Sequence, residues 1–242
     1  YPWEATVAAD NQSTVLQLRE QVLKAETEAV KIKAAELLTA VPGGAQMLLG
    51  MAAQGLLSGN IRKTAGDLLM NHLDPQVRSL AGDMFPREGK NWKGKLFSID
   101  LISRMQGDAA RGQLAFQTYC LTCHKRNGMG SETGPNLTGI EHKMDRQTLL
   151  DAIINPSAAL VFGFETYEAT TATGQTVFGW LMSDNGSIVV LRDSAGKQYT
   201  FRKSQLGVFR KINSSLMPQP GALGLNDQDL ADIVQYLQEK AE

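Results

Sequence analysis

Cys120-Leu121-Thr122-Cys123-His124 is the stretch on which the reading of this chain turns. Two thiols three residues apart on a helical turn can each form a thioether to one of two neighbouring vinyl groups of a porphyrin. The adjacent imidazole then falls beneath the iron as the proximal ligand. The segment therefore reads as a c-type haem attachment site, with one haem held covalently by Cys120, Cys123 and His124. Two other chemistries of paired cysteines fit less well. A thioredoxin-like redox pair wants a strand before it in a βαβ setting, whereas a helical pattern precedes Cys120. A structural zinc site wants four ligands, commonly from a second pair, and the chain has only two cysteines and, beyond His124, only His72 and His142. Two cysteines so close together also exclude a structural disulfide framework.

Working outward, Asp108 is placed to cap a helix that runs into Cys120, and Asp145 to cap a helix over Arg146 to Asn155 that Pro156 closes. The hydrophobic period then shortens. Glu165 to Thr171, Gln175 to Met182, Ser187 to Arg192 and Lys197 to Phe201 read as four short strands, with Phe178, Trp180 and Met182 alternating. Thr173-Gly174, Asp184-Asn185-Gly186 and Asp193-Ser194-Ala195-Gly196 supply turns, so this part is predicted to be a small antiparallel meander. Asn226 caps a last helix from Asp227 to about Glu239.

Toward the amino terminus the chain reads as helical. Asp74-Pro75 is a helix start, and the run Asp74 to Ala81 resembles the second helix of a HEAT-type repeat; a plain helical bundle is the alternative. Leu37 to Ile61 carries no charge, but Pro42 and the glycines from Gly43 to Gly55 divide it into two short pieces rather than one membrane span. Residues 87 to 97 read as a polar linker, and Ser98 to Met105 as a short helix. The predicted organisation is mainly α: a helical scaffold with linker over 1–95, then a haem domain over 96–242 with a β-insert at about 164–203. A chain that opens on Tyr1 reads as a mature or excised piece.

The residues flanking the haem motif resemble the soluble cytochrome c fold over about 108–140 and 204–240. Gly112, Phe116 and Cys120 are spaced as on that fold's first helix, and Tyr236 and Leu237 sit where its last helix crosses. Gly134-Pro135-Asn136-Leu137 is similar to the family's loop whose proline carbonyl orients the proximal imidazole, which implies that role for Pro135 on His124. The resemblance also implies an axial Met-Pro just before the last helix, where Ser214-Ser215-Leu216-Met217-Pro218 lies, making Met217 the distal iron ligand. His142 is the main rival for that position. Met129 and Met144 are read as wall or loop residues, and His72 as a surface residue near a helix end. Ile154-Asn155-Pro156-Ser157, then a β-insert, then Ser-Leu-Met-Pro resembles a haem-binding domain of Planctomycetes and Verrucomicrobia. There it commonly ends large chains in which helical repeats and a dehydrogenase domain come first.

The function expected is single-electron transfer by a monohaem module rather than catalysis. The partners expected are a dehydrogenase donor and a cytochrome, copper protein or oxidase acceptor. A peroxidase-like enzyme and a gas or redox sensor are the alternatives, both needing an open or labile distal site. The formal net charge of −1 comes from scattered Lys and Arg, with no footprint for nucleic acid or a membrane surface. Thioether attachment by bacterial machinery places the protein in the periplasm or outside the cell.

Overall fold

The computed structural model describes the backbone of residues 2–85 and 97–239, with side chains from residue 12 onward within them; the polar linker expected at 87–97 lies, but for Phe97, outside the described residues. In chain order the elements are α1 (Pro2–Lys24), α2 (Glu28–Ala40), α3 (Gly44–Ala53), α4 (Gly59–Met70), α5 (Pro75–Met84), α6 (Ile99–Ser103), α7 (Ala109–Tyr119), β1 (Lys125–Arg126), β2 (Met129–Gly130), α8 (Arg146–Ile154), β3 (Thr166–Thr171), β4 (Thr176–Asp184), β5 (Ile188–Arg192), β6 (Gln198–Arg202), β7 (Leu206–Lys211), α9 (Pro220–Leu223) and α10 (Asp227–Gln238). The composition is mainly α, as expected. The chain forms two compact units, one of residues 1–87, 166–193 and 198–212, the other of residues 88–165, 194–197 and 213–242.

In the first unit, helix ends follow local chemistry. Thr27 Oγ1 accepts the Val30 N–H at 3.4 Å at the start of α2, and Asp74 Oδ1 accepts the Gln76 N–H at 2.8 Å ahead of Pro75 in α5. Leu38, Met47, Leu48, Leu49, Leu69 and Leu80 fill the interior. The uncharged Leu37–Ile61 stretch is broken between α2, α3 and α4, and no helix among the described residues is long and apolar enough to cross a membrane.

The meander belongs with these helices. Its strands pair antiparallel in the order β6-β5-β4-β3-β7, so there are five rather than the four expected. The additional strand, β7, returns to pair with β3 on the side opposite β4. Simple alternation fails on central β4, where Thr176 through Trp180 are all buried. The sheet meets α3 through small and polar groups. Thr176 faces Gly50, where a Cβ would come within 3.0 Å of its hydroxyl. Buried Glu168 accepts hydrogen bonds from Gln54 at 2.9 Å and Arg210 at 2.8 Å, and Arg210 also donates to the Ala53 carbonyl at 2.7 Å. A buried carboxylate is tolerated when it is paired and hydrogen-bonded in this way.

In the second unit, Asp108, Asp145 and Asn226 cap α7, α8 and α10 as the sequence predicts, Asn226 with Asp229 in a full capping box. α7 and α10 cross in close contact. A Cβ at Gly112 would overlap the Asp232 carbonyl, so only glycine permits the approach. Phe116 packs against Tyr236 at the crossing, ring centroids 5.5 Å apart, and Ile102, Leu149, Leu150, Leu230, Ile233 and Val234 complete the core. Asp232, buried on α10, accepts from Arg111 Nε at 2.7 Å and from the Asp108 N–H at 2.7 Å, closing the crossing with charge.

Candidate haem site

α7 ends at Tyr119, and its last turn hands the chain to the cysteine pair. The Cys120 N–H bonds to the Phe116 carbonyl at 2.8 Å, and the Cys120 carbonyl then accepts from the N–H groups of both Cys123 at 3.0 Å and His124 at 2.9 Å. The turn is thus fixed by backbone alone, whatever occupies the side chains. Burial pushes the Cys120 thiol up to about 12, with a smaller push from Cys123, and burial raises Cys123 as well. Redox-active and metal-binding cysteines are activated by the opposite shift, toward thiolate.

The His124 ring is held from one side. Its Nδ1 lies 2.8 Å from the Pro135 carbonyl oxygen, an acceptor, so Nδ1 carries the proton and Nε2 keeps its lone pair. Burial lowers the His124 pKa and the Pro135 hydrogen bond opposes that shift, which leaves a neutral imidazole suited to ligating a metal. The loop that carries Pro135 is stitched to the haem motif by backbone: the Gly134 N–H to the Cys123 carbonyl at 2.6 Å, Leu137 to Lys125 at 2.8 Å, Ser131 to Leu121 at 3.2 Å. Gly134 sits so close that a Cβ there would lie 3.0 Å from His124 Cε1. In the turn that groups with this unit, the Ser194 carbonyl lies 4.0 Å from Cys123 Sγ.

Arg126, two residues beyond His124, was not singled out in the sequence. Its guanidinium is buried and donates to the carbonyls of Tyr236 at 2.8 Å, Leu237 at 3.3 Å and Glu239 at 2.8 Å, over the Tyr236 ring at 4.2 Å. It satisfies carbonyls that the end of α10 leaves without partners. The short β1–β2 ladder that positions it turns at Asn127-Gly128, both with positive φ. That Asn-Gly pair was the available signal, since it marks a tight hairpin.

Met217 lies in the same unit, half-buried, in the loop between β7 and α9. Leu216 beside it is only 2% exposed and anchors the loop. The Met217 N–H donates to Ser215 Oγ at 3.0 Å, and the Ser215 N–H donates to Ser157 Oγ at 2.9 Å. The rival His142 has a side chain 68% exposed, 3.5 Å from the Glu141 carboxylate. Met129 is exposed, and Met144 packs half-buried against the core. His72 belongs to the other unit, where its Nδ1 accepts the Asp74 N–H at 3.0 Å.

The residues on the fixed turn fit a covalently held haem: two thiols and an imidazole whose free nitrogen is Nε2. No curated protein matches the chain. Residues 109–186, from the start of α7 to just past β4, match the family model described as Cytochrome c, and this span together with the thiol and imidazole geometry supports a c-type cytochrome domain in this chain, with the covalent haem c that such a domain implies.

Proposed function

We propose that the chain is a monohaem electron-transfer module in which Cys120 and Cys123 supply the two thioether sulfurs, His124 the proximal ligand and Met217 the distal one. The observation that carries this reading is the 2.8 Å bond from His124 Nδ1 to the Pro135 carbonyl, which directs Nε2 to the metal and raises its basicity. A haem held between histidine and methionine supplies a one-electron couple at raised potential. The chain's own residues keep that couple from doing more. Pro135 fixes the imidazole, Ser215 and Leu216 hold the Met217 loop, and His124 and Met217 together would leave a bound haem no open position for a substrate.

The module serves, or forms the carboxy-terminal part of, a larger dehydrogenase, and passes electrons to a cytochrome, a copper protein or an oxidase. Redox encounters of this kind need only small interfaces. It resembles the Planctomycetes and Verrucomicrobia type, with α1–α5 as a HEAT-like scaffold, and works in the periplasm or outside the cell. Attachment tests the chemistry and the compartment together. Cys120→Ala with Cys123→Ala is expected to yield protein without covalent haem, as is wild-type chain made without haem-attachment machinery. Haem that stays bound to either product through denaturing electrophoresis contradicts the proposal.

A further inference from the structure

The Asn155-Pro156-Ser157 turn has no part in haem attachment, yet it reaches the distal loop. α8 ends at Ile154, and the Ala158 N–H closes a turn onto the Asn155 carbonyl at 2.9 Å. Pro156 is buried within that turn, which fixes where Ser157 stands. Ser157 Oγ then accepts the Ser215 N–H at 2.9 Å across 58 residues of sequence, and Ser215 Oγ accepts the Met217 N–H at 3.0 Å. The loop from Asn213 to Gln219 has no helix or strand of its own. Its backbone at the methionine is therefore tied through two hydroxyls to the end of α8.

Resting on the assignment of Met217 as distal ligand, we infer that Ser157 is a positioning residue for that ligand: through Ser215 it sets how firmly Met217 is held and how rarely the distal position opens. Neutral hydrogen bonds of ordinary strength correspond to about a fivefold change in such an equilibrium. An external ligand that needs the open form sees its affinity scaled by the open fraction. A serine far from the iron in sequence thus sets the accessibility of the iron.

The test uses the full-length holoprotein and reads carbon monoxide affinity of the reduced form, the far-red iron–sulfur band of the oxidised form, and thermal stability. Ser157→Ala and Ser215→Ala are each expected to raise carbon monoxide affinity about fivefold. Ser157→Thr, which keeps the hydroxyl, is expected to match wild type, and the double alanine variant to add little to either single change. Met217→Ala is the reference. If it opens the site fully while Ser157→Ala and Ser215→Ala keep wild-type affinity, the positioning role is overturned and the ligand stands. If Met217→Ala itself changes neither readout, the ligand assignment falls and this inference with it. Should Ser157→Ala not accumulate as holoprotein, Ser215→Ala decides by the same readouts. A loss of thermal stability with unchanged affinity overturns the inference, because a purely structural serine behaves that way.

Discussion

At the scale of single residues, the site is a set of close approaches to one imidazole. Gly134 makes the closest: its absent Cβ would sit 3.0 Å from Cε1 and 3.2 Å from Nδ1 of His124. Gly134→Ala is expected to leave both thioether positions intact but push the ring off the Pro135 carbonyl. The cost is about 1–3 kcal/mol of stability, the usual result of overpacking, together with a lowered midpoint potential; melts and redox titration read both. An unchanged potential would show that the ring gives way without losing its partner. The contact of the Pro135 carbonyl with the His124 ring was legible in the sequence, because the Cys120–His124 turn and the loop beside it are short, contiguous motifs; the proposed attachment rests on the same motifs. The contacts of Arg126 and Ser157 could not be read there. A buried guanidinium and a bridging hydroxyl take their roles from partners 110 and 58 residues away, and nothing in the local pattern separates them from solvated side chains.

At the scale of elements, the α7–α10 crossing carries the second unit. Burial alone pushes the Asp232 carboxyl up. Hydrogen bonds from the Arg111 side chain, the Asp108 N–H and Gln228, with the charge of Arg111, outweigh that and hold it below the ordinary aspartate range. A carboxyl depressed in the folded state contributes stability that is fully present above its unfolded pKa, about 3.9, and is lost as pH falls through the lower folded value. Asp232→Asn is expected to destabilise the protein at neutral pH and to flatten the acid limb of its stability profile. Melts across the acid range check this, and an acid limb as steep as wild type would point to other carboxyls. Arg210 poses the matching question in the first unit. Arg210→Ala leaves the buried Glu168 carboxylate with, among the described residues, hydrogen bonds from Gln54 and Thr170, and is expected to cost on the order of 3 kcal/mol by denaturant titration; a cost under about 1 kcal/mol would place that pair among ordinary surface ion pairs. The starts of α5, α7, α8 and α10 were legible because a single Asp or Asn side chain makes each of those caps. β7 was not, because Leu206–Lys211 is largely exposed along an edge and lacks a buried alternating face.

At the scale of the whole molecule, the chain leaves the second unit after Glu165 for the sheet, rejoins it at Ser194–Lys197, and returns at Asn213 to complete it with α10. Hydrophobic period found the meander but not its company. The residues that group it with α1–α5, Thr176 at Gly50 and Glu168 at Gln54, are small or polar and give no periodic signal. The family match likewise starts with α7 and stops before α10, whose partnership with α7 depends on glycine and aromatic contacts far apart in sequence. The central claim, a haem closed on both sides by His124 and Met217, is tested most directly by the optical spectrum of the purified protein, oxidised, reduced, and reduced under carbon monoxide. The account predicts a low-spin c-type spectrum with a far-red iron–sulfur band and no prompt binding of carbon monoxide by the reduced protein. A high-spin ferric spectrum, or prompt carbon monoxide binding by the reduced protein, would contradict it.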